Sequence, residues 1–254
     1  MDLNFKKNGF IIKKIEDKNI LKKLKSIVKK HFYRSSDYYQ KLSRSDFSKI
    51  ALKCQKEIDK LNIMKKFHKS EKSFFKRLVD NDEILYSSGG YLRAVRPLKT
   101  TNIKEILDWH RETFYSTRKF INYAINVWIP ILNVKKKNAL KYIPKSHLIP
   151  DNKIKRRKYI EKINPIKKFS SEHKLGFVYA PKKILSGINL KKEQKFNTKE
   201  NQFVSFSALL VHGNGKNESK DIRFAYNFGI IGASKLKNNN RMIDSKKHEY
   251  ISFD

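Results

Sequence analysis

The sequence holds one cysteine, Cys54. No disulfide can form within the chain, and the ligands of a zinc ribbon or an iron–sulfur cluster are missing. Cys54 shares helical spacing with Phe47, Ile50, Ala51, Ile58 and Leu61, which reads as a small buried hydrophobe. This thiol usage fits a reducing, cytoplasmic setting. No apolar run approaches the length of a transmembrane helix. Met1 to Gly9 is charged and lacks an apolar stretch before a small-residue cleavage site, so no secretory signal is expected there. Acidic residues are scarce: 24 Asp and Glu face 58 Lys and Arg, a net charge of +34. Such a balance suits an anionic partner, whether nucleic acid, an acidic membrane surface or a phosphorylated substrate. Yet the lysines are spread along the whole chain, and no helix-turn-helix, zinc-finger or Gly-rich RNA-binding signature is present. A lysine-rich background and a true anionic partner weigh about level.

What is present is a core. In 254 residues, 39% are hydrophobic, with abundant Phe and Tyr, which suits a folded domain despite the charge. Phe10 to Ile15 reads as a strand. Asp17 then caps an amphipathic helix carrying Ile20, Leu21, Leu24, Ile27, Val28 and Phe32. Ser45 or Asp46 caps a second helix running to about Leu61, and a third covers roughly Glu71 to Val79. The pattern changes near Asn81. Tyr91–Val95, Trp109–Phe114, Phe120–Leu132, Ala139–Ile143, Gly176–Ala180, Gln202–Val211 and Ile222–Ile231 read as short strands. A mainly β protein with flanking α structure follows. Residues 1–254 form one domain, with 1–80 a helical flank and 84–232 a barrel or sandwich. The basic stretch near 148–173, with Lys155, Arg156, Arg157 and Lys158, is an irregular or helical insert, a lid or docking segment at most and otherwise a solvated loop. Lys235 to Lys247 reads as a polar, mobile tail.

Three features carry chemistry. On a strand through Trp109–Phe114, His110 and Glu112 would share a face, making an adjacent imidazole and carboxylate. In the Gln202–Val211 strand, Val204, Phe206, Ala208 and Leu210 form an apolar face that His212 would end at the rim. Each alone is more often a surface or core histidine. Together they supply the two imidazoles and one carboxylate of a facial triad suited to Fe(II). Arg223 follows His212 by eleven residues and begins a strand whose face holds Ala225, Asn227 and Gly229. A guanidinium on a face of small residues calls for an anion, either a dicarboxylic co-substrate or an ordinary Asp or Glu.

Read together, the motifs resemble the phytanoyl-CoA dioxygenase (PhyH)-like family of Fe(II)/2-oxoglutarate-dependent oxygenases. The resemblance rests on His110-x-Glu112, Trp128-Ile129-Pro130-Ile131, the run Asn138-Ala139-Leu140 to Ile143-Pro144-Lys145-Ser146-His147, and His212-Gly213 followed by Asn217-Glu218-Ser219 and Arg223. Asn8-Gly9-Phe10-Ile11-Ile12 before a helix is similar to the family's opening. Two positions depart from it: Glu112 stands where most members have Asp, and Lys145 where a Gly is usual. The retained carboxylate argues against a halogenase.

The resemblance implies a double-stranded β-helix (jelly-roll, cupin-like) barrel with N-terminal helices. It implies Fe(II) on His110, Glu112 and His212, with 2-oxoglutarate held by Arg223 and assisted by Ser219. Asn122 or Asn126, expected on the next strand, is placed to reach the co-substrate or to bond within the sheet. Arg93 and Arg96 are expected either at the pocket mouth, meeting an anionic substrate, or paired with acids such as Asp82 or Glu83. His147 is expected to bond within the fold, and His31, His68, His173 and His248 to be solvated. The implied reaction consumes O2, releases succinate and CO2, and hydroxylates a small, anionic metabolite: a sugar, a nucleotide-linked molecule or a natural-product intermediate. The rivals are a basic nucleic-acid-binding module and a non-catalytic partner-binding protein on the same barrel.

Overall fold

A computed structural model describes residues 2–87, 90–97, 108–115, 119–158, 170–175, 182–237 and 250–252. The N-terminal third alternates caps and amphipathic turns. Helix α1 (Leu3–Asn8) starts on the Asp2 carboxylate and ends at Gly9, whose φ of 78° closes the C-terminus. Strand β1 (Phe10–Lys14) follows, then α2 (Lys18–His31), capped by Asp17 as its sequence indicates. Next come α3 (Ser36–Lys41), α4 (Arg44–Lys60), α5 (Ile63–Ser70) and α6 (Lys72–Leu78). The cap of α4 is Ser43, whose hydroxyl accepts from the Asp46 N–H, rather than Ser45 or Asp46. Helices α1 and α3 were not expected: both are six residues long, too short for a readable period.

The β region runs β2 (Ile84–Ser87), β3 (Tyr91–Val95), β4 (Ile125–Leu132), β5 (Lys141–Tyr142), β6 (Lys155–Lys158), then the short α7 (Ser171–Lys174). It continues with β7 (Lys182–Ser186), β8 (Gln194–Lys195), β9 (Gln202–Ser207), β10 (His212–Gly213), β11 (Arg223–Gly232), α8 (Ala233–Lys237) and β12 (Tyr250–Ile251). The major sheet has the order β1-β9-β4-β11-β2-β12, with β3 also on β11, and its pairs are antiparallel. A minor sheet, β10-β5-β8, faces it. This is the jelly-roll sandwich, with open sheets rather than a closed barrel. Pro130, inside β4, lies beyond the stretch that pairs with β9 and opposite a register shift at Phe224 and Ala225, so its missing N–H breaks no regular ladder.

Alternation along the strands divides two cores. Outward residues Val127, Ile129, Phe203, Phe224, Tyr226 and Phe228 pack on the helices, in one cluster with Leu24, Cys54, Phe67 and Phe75. Inward residues Trp128, Val204, Phe206 and Ala225 meet Leu140, Tyr142 and Phe196 of the minor-sheet side. Burying a side chain of this size contributes roughly 1.5–3 kcal/mol, so the helical flank is part of the sheet's support.

The basic insert departs from expectation. Lys155–Lys158 form β6, which pairs antiparallel with β7. Arg156 lies over the Phe114 ring at 4.5 Å, and Lys182 donates to the Phe114 carbonyl at 2.5 Å. Ile154 and Ile184 join Trp109, Phe114, Ile143 and Val211 in a third small core. Arg156 is half-buried through this stacking, while Lys155, Arg157 and Lys158 stay exposed. The Gly176–Ala180 strand expectation lies outside the described residues, as does most of the Lys235–Lys247 tail.

Candidate metal centre

His110 and His212 form an isolated antiparallel bridge, each N–H donating to the other's carbonyl at 2.9 and 3.0 Å. Trp109–Phe114 is not a strand beyond that point. The Glu112 N–H donates to the Ala208 carbonyl at 3.1 Å, and Glu112–Phe114 then turn as a 3-10 helix. His212 likewise sits on β10, separated from β9 by a turn at 208–211, so the continuous apolar face drawn to His212 breaks after Ser207. The strand reading fails because Arg111 anchors backward: its buried guanidinium donates to Asp151 Oδ1 at 2.7 Å and to the Ser146 carbonyl. The Ser146 hydroxyl accepts from the Val211 N–H at 2.8 Å, which ties the Pro-x-Ser-His run directly to the residue before His212.

The three side chains nevertheless converge. One ligand atom from each of His110, Glu112 and His212 lies within 4.8 Å of the others. Glu112 Oε1 is 3.5 Å from His212 Nε2. Nδ1 of His110 lies 2.6 Å from the Asp108 carbonyl, and Nδ1 of His212 lies 2.8 Å from the Leu210 carbonyl. A carbonyl only accepts, so each Nδ1 carries a proton and leaves Nε2 as the nitrogen a metal would take. Burial, reinforced by the His212 imidazole, holds His110 well below its usual range, so it stays neutral. Burial alone would raise Glu112, but the His212 contact, both imidazoles and Asn126 outweigh it and keep the carboxylate ionised. Two imidazoles and one carboxylate fit a divalent first-row metal with open positions.

Around the triad, Asn126 Nδ2 donates to Glu112 Oε1 at 3.0 Å. Phe206 meets the His212 ring edge-on at 4.7 Å. Tyr115 stands 5.7 Å from the His110 ring. Arg223 is fully buried at the start of β11 and donates to the Asn138 carbonyl at 2.5 Å and to Asn214 Oδ1 at 3.3 Å. Its Nε has no partner, and no carboxylate pairs with it among the described residues. Burial, with the nearby Arg93 charge, pushes it down to about 10, still cationic at neutral pH. The Asn138 and Asn217 amides meet at 3.1 Å, which brings the two motif runs together beneath Arg223.

Other expected site residues are placed differently. Asn122 is exposed on a 3-10 turn at Lys119–Tyr123, ahead of β4, so Asn126 alone reaches the triad. The Ser219 hydroxyl lies 2.7 Å from Asn217 Oδ1 and 3.0 Å from the Asp221 carbonyl, so it fastens the turn rather than facing a co-substrate. Arg93 lies opposite Ala225 on the inner sheet face, close enough to Glu112 and His110 for their charges to interact, and donates to the Leu175 carbonyl at 2.7 Å. Arg96, three residues on, faces the other way. It donates to the Tyr39 and Leu42 carbonyls and lies 4.7 Å from the Phe47 ring, which makes it a tie to the helices and not a pocket residue. His147 bonds within the fold, its Nε2 2.9 Å from the Lys6 carbonyl. His68 is buried against Tyr86, not solvated. No helix among the described residues is long and apolar enough to cross a membrane.

No curated protein matches the sequence. Among solved structures, EvdO2 from Micromonospora carbonacea var. aurantiaca is similar with a TM-score of 0.61 at 14% identity, covering 92% of this chain and 91% of that one. SnoK, a non-heme alpha-ketoglutarate-dependent carbocyclase from nogalamycin biosynthesis, gives 0.53 at 10% identity, covering 99% and 97%. The apo form of the non-heme monooxygenase ThoJ gives 0.54 at 15% identity, covering 90% and 75%. These likenesses show the fold. The family described as phytanoyl-CoA dioxygenase (PhyH) matches residues 6–225. With that match over most of its length, the chain belongs to the phytanoyl-CoA dioxygenase family of iron- and 2-oxoglutarate-dependent oxygenases.

Proposed function

We propose that the protein hydroxylates a small anionic metabolite, a sugar, nucleotide-linked molecule or natural-product intermediate, using O2 and 2-oxoglutarate and releasing succinate and CO2. The carrying observation is a ready triad together with a buried guanidinium on β11 that no carboxylate among the described residues pairs with. Iron bound by His110, Glu112 and His212 supplies the redox chemistry that couples loss of CO2 from the co-substrate to substrate oxidation. Arg223 holds the distal carboxylate through its fork; leaving that charge buried without an anion is the costly alternative. Asn126 fixes the Glu112 carboxylate. Phe206 and Trp128 exclude water on the His212 side. Arg93, on the same inner face, takes the substrate's anionic group.

Residues 1–254 work as one oxygenase domain on this reading, because a single hydrophobic cluster joins the helical flank to the sheet. Its one free, buried thiol fits work in the cytoplasm. The test is substrate-dependent succinate formation from 2-oxoglutarate, with the substrate gaining one oxygen atom by mass spectrometry. Turnover that instead epimerises or cyclises the substrate without oxygen insertion would replace hydroxylation by another oxidative outcome.

A further inference from the structure

The strand registers order the inner face of the major sheet into rows. Tyr250 lies opposite Ser87, whose hydroxyl accepts from the Gly229 N–H at 2.9 Å. Gly229 lies opposite Asn126, Asn126 opposite Phe206, and Phe206 opposite Phe10. One row along, Tyr91 faces Asn227, which faces Trp128 and then Val204. In both rows the β9 side is apolar and the far side polar. The triad sits at the join, since Glu112 is held by Asn126 and His212 packs on Phe206.

The polar half has four notable groups. Tyr250 arrives on the two-residue strand β12 and sets its hydroxyl over Gly229. A Cβ at Gly229 would stand 2.9 Å from that oxygen, closer than real Cβ atoms come, so the glycine leaves room for the phenol. Phe120 meets the ring edge-on at 6.1 Å. Burial, with Glu112 and Tyr91 nearby, raises the Tyr250 hydroxyl and keeps it neutral. Asn227 Oδ1 is buried with no hydrogen-bond partner. Arg93 brings a charge one row beyond Tyr91. An acyl chain laid here would strand an amide oxygen and a phenol away from water, whereas a ligand with hydroxyl donors satisfies both. Sites built on such groups discriminate strongly against analogues that lack the donor.

Resting on the oxygenase reading of the triad, we propose that Tyr250 is a substrate-contacting, specificity-determining residue. Strand β12 places its phenol beside the metal centre, where Tyr250, Asn227, Tyr91 and Arg93 receive a hydroxyl-bearing anionic substrate rather than an acyl chain. The test labels the full chain with 3-fluorotyrosine, assigns the twelve resonances by single Tyr→Phe changes, and adds one equivalent of Mn(II). The paramagnetic ion broadens Tyr115, Tyr91 and Tyr250 beyond detection and leaves the exposed Tyr33 sharp. In protein loaded with Zn(II) and 2-oxoglutarate, millimolar glucose 6-phosphate then shifts the Tyr250 resonance, and octanoate does not. A Tyr250 signal that stays sharp while Tyr115 vanishes overturns the placement. A Tyr250 signal indifferent to glucose 6-phosphate, or moved only by octanoate, overturns the substrate class. Broadening of no tyrosine removes the metal reading itself and the proposal with it.

Discussion

His110 and His212 are hydrogen-bonded backbone to backbone, N–H to carbonyl in both directions, and their rings lie 4.3 Å apart. Two candidate ligands distant in sequence are thus set by a single β-bridge, with Ala208 holding the third through the Glu112 N–H. Geometry of this kind depends on main chain more than on side-chain packing, so conservative changes at the ligands leave the fold intact.

Among the described residues, Asn126 is the one side-chain group that hydrogen-bonds Glu112 without itself being a candidate ligand. Asn126→Leu keeps the shape and removes the donor. Fe(II) affinity falls by roughly 10–100-fold, measured by anaerobic titration, while the circular dichroism spectrum is unchanged. Unaltered iron affinity would show that Glu112 needs no such support.

Arg223→Lys keeps the charge and loses the fork. The dissociation constant for 2-oxoglutarate rises by roughly 10–100-fold, the equivalent of about 1–3 kcal/mol for a charged hydrogen bond. Fe(II) binding is spared. Equal co-substrate affinity in calorimetry would remove Arg223 as the anchor.

Lys145 occupies a left-handed backbone conformation, φ 57°, at the turn before Ser146. An L-residue costs about 1–2 kcal/mol there, which explains why glycine is the usual residue in relatives of this motif. Lys145→Gly raises the thermal midpoint by roughly 2–4 °C without changing metal affinity. A lower midpoint would mean the lysine side chain contributes contacts that outweigh its strain.

His68 is buried and stacks on Tyr86 at 3.7 Å, with Phe228 at 4.5 Å. Burial lowers its pKa from the ordinary 6.5 to about 3. The folded value lies below the unfolded one, so the stability this neutral ring contributes is complete above pH 6.5 and is lost as pH falls toward 3. Acid unfolding followed by fluorescence shows a loss on the order of a few kcal/mol across that window. His68→Phe flattens it; an unchanged profile would place the acid sensitivity elsewhere.

The order of motifs was legible in the sequence because each is a short, chemically loaded string: His110-x-Glu112, Asn138-Ala139-Leu140, and His212 to Arg223. Their local geometry was not. Alternation placed His110 and Glu112 on a strand, but Arg111's anchors to Asp151 and Ser146 bend the chain into a turn, and such long-range ties leave no period. Arg93 and Arg96 look equivalent in sequence, yet an odd spacing sends them to opposite faces. Charge at Lys155–Lys158 disguised a paired strand with one stacked arginine. Tyr250 lies far down the chain from any motif, and only strand register shows it beside Gly229.

The most direct measurement is anaerobic titration of the metal-free protein with Fe(II) and 2-oxoglutarate, watching the weak visible metal-to-ligand charge-transfer band. The account predicts a band that saturates at one equivalent of each, vanishes in His212→Ala, and weakens at fixed co-substrate in Arg223→Lys. A protein that binds neither iron nor 2-oxoglutarate, or a band that persists at full strength in His212→Ala, would contradict it.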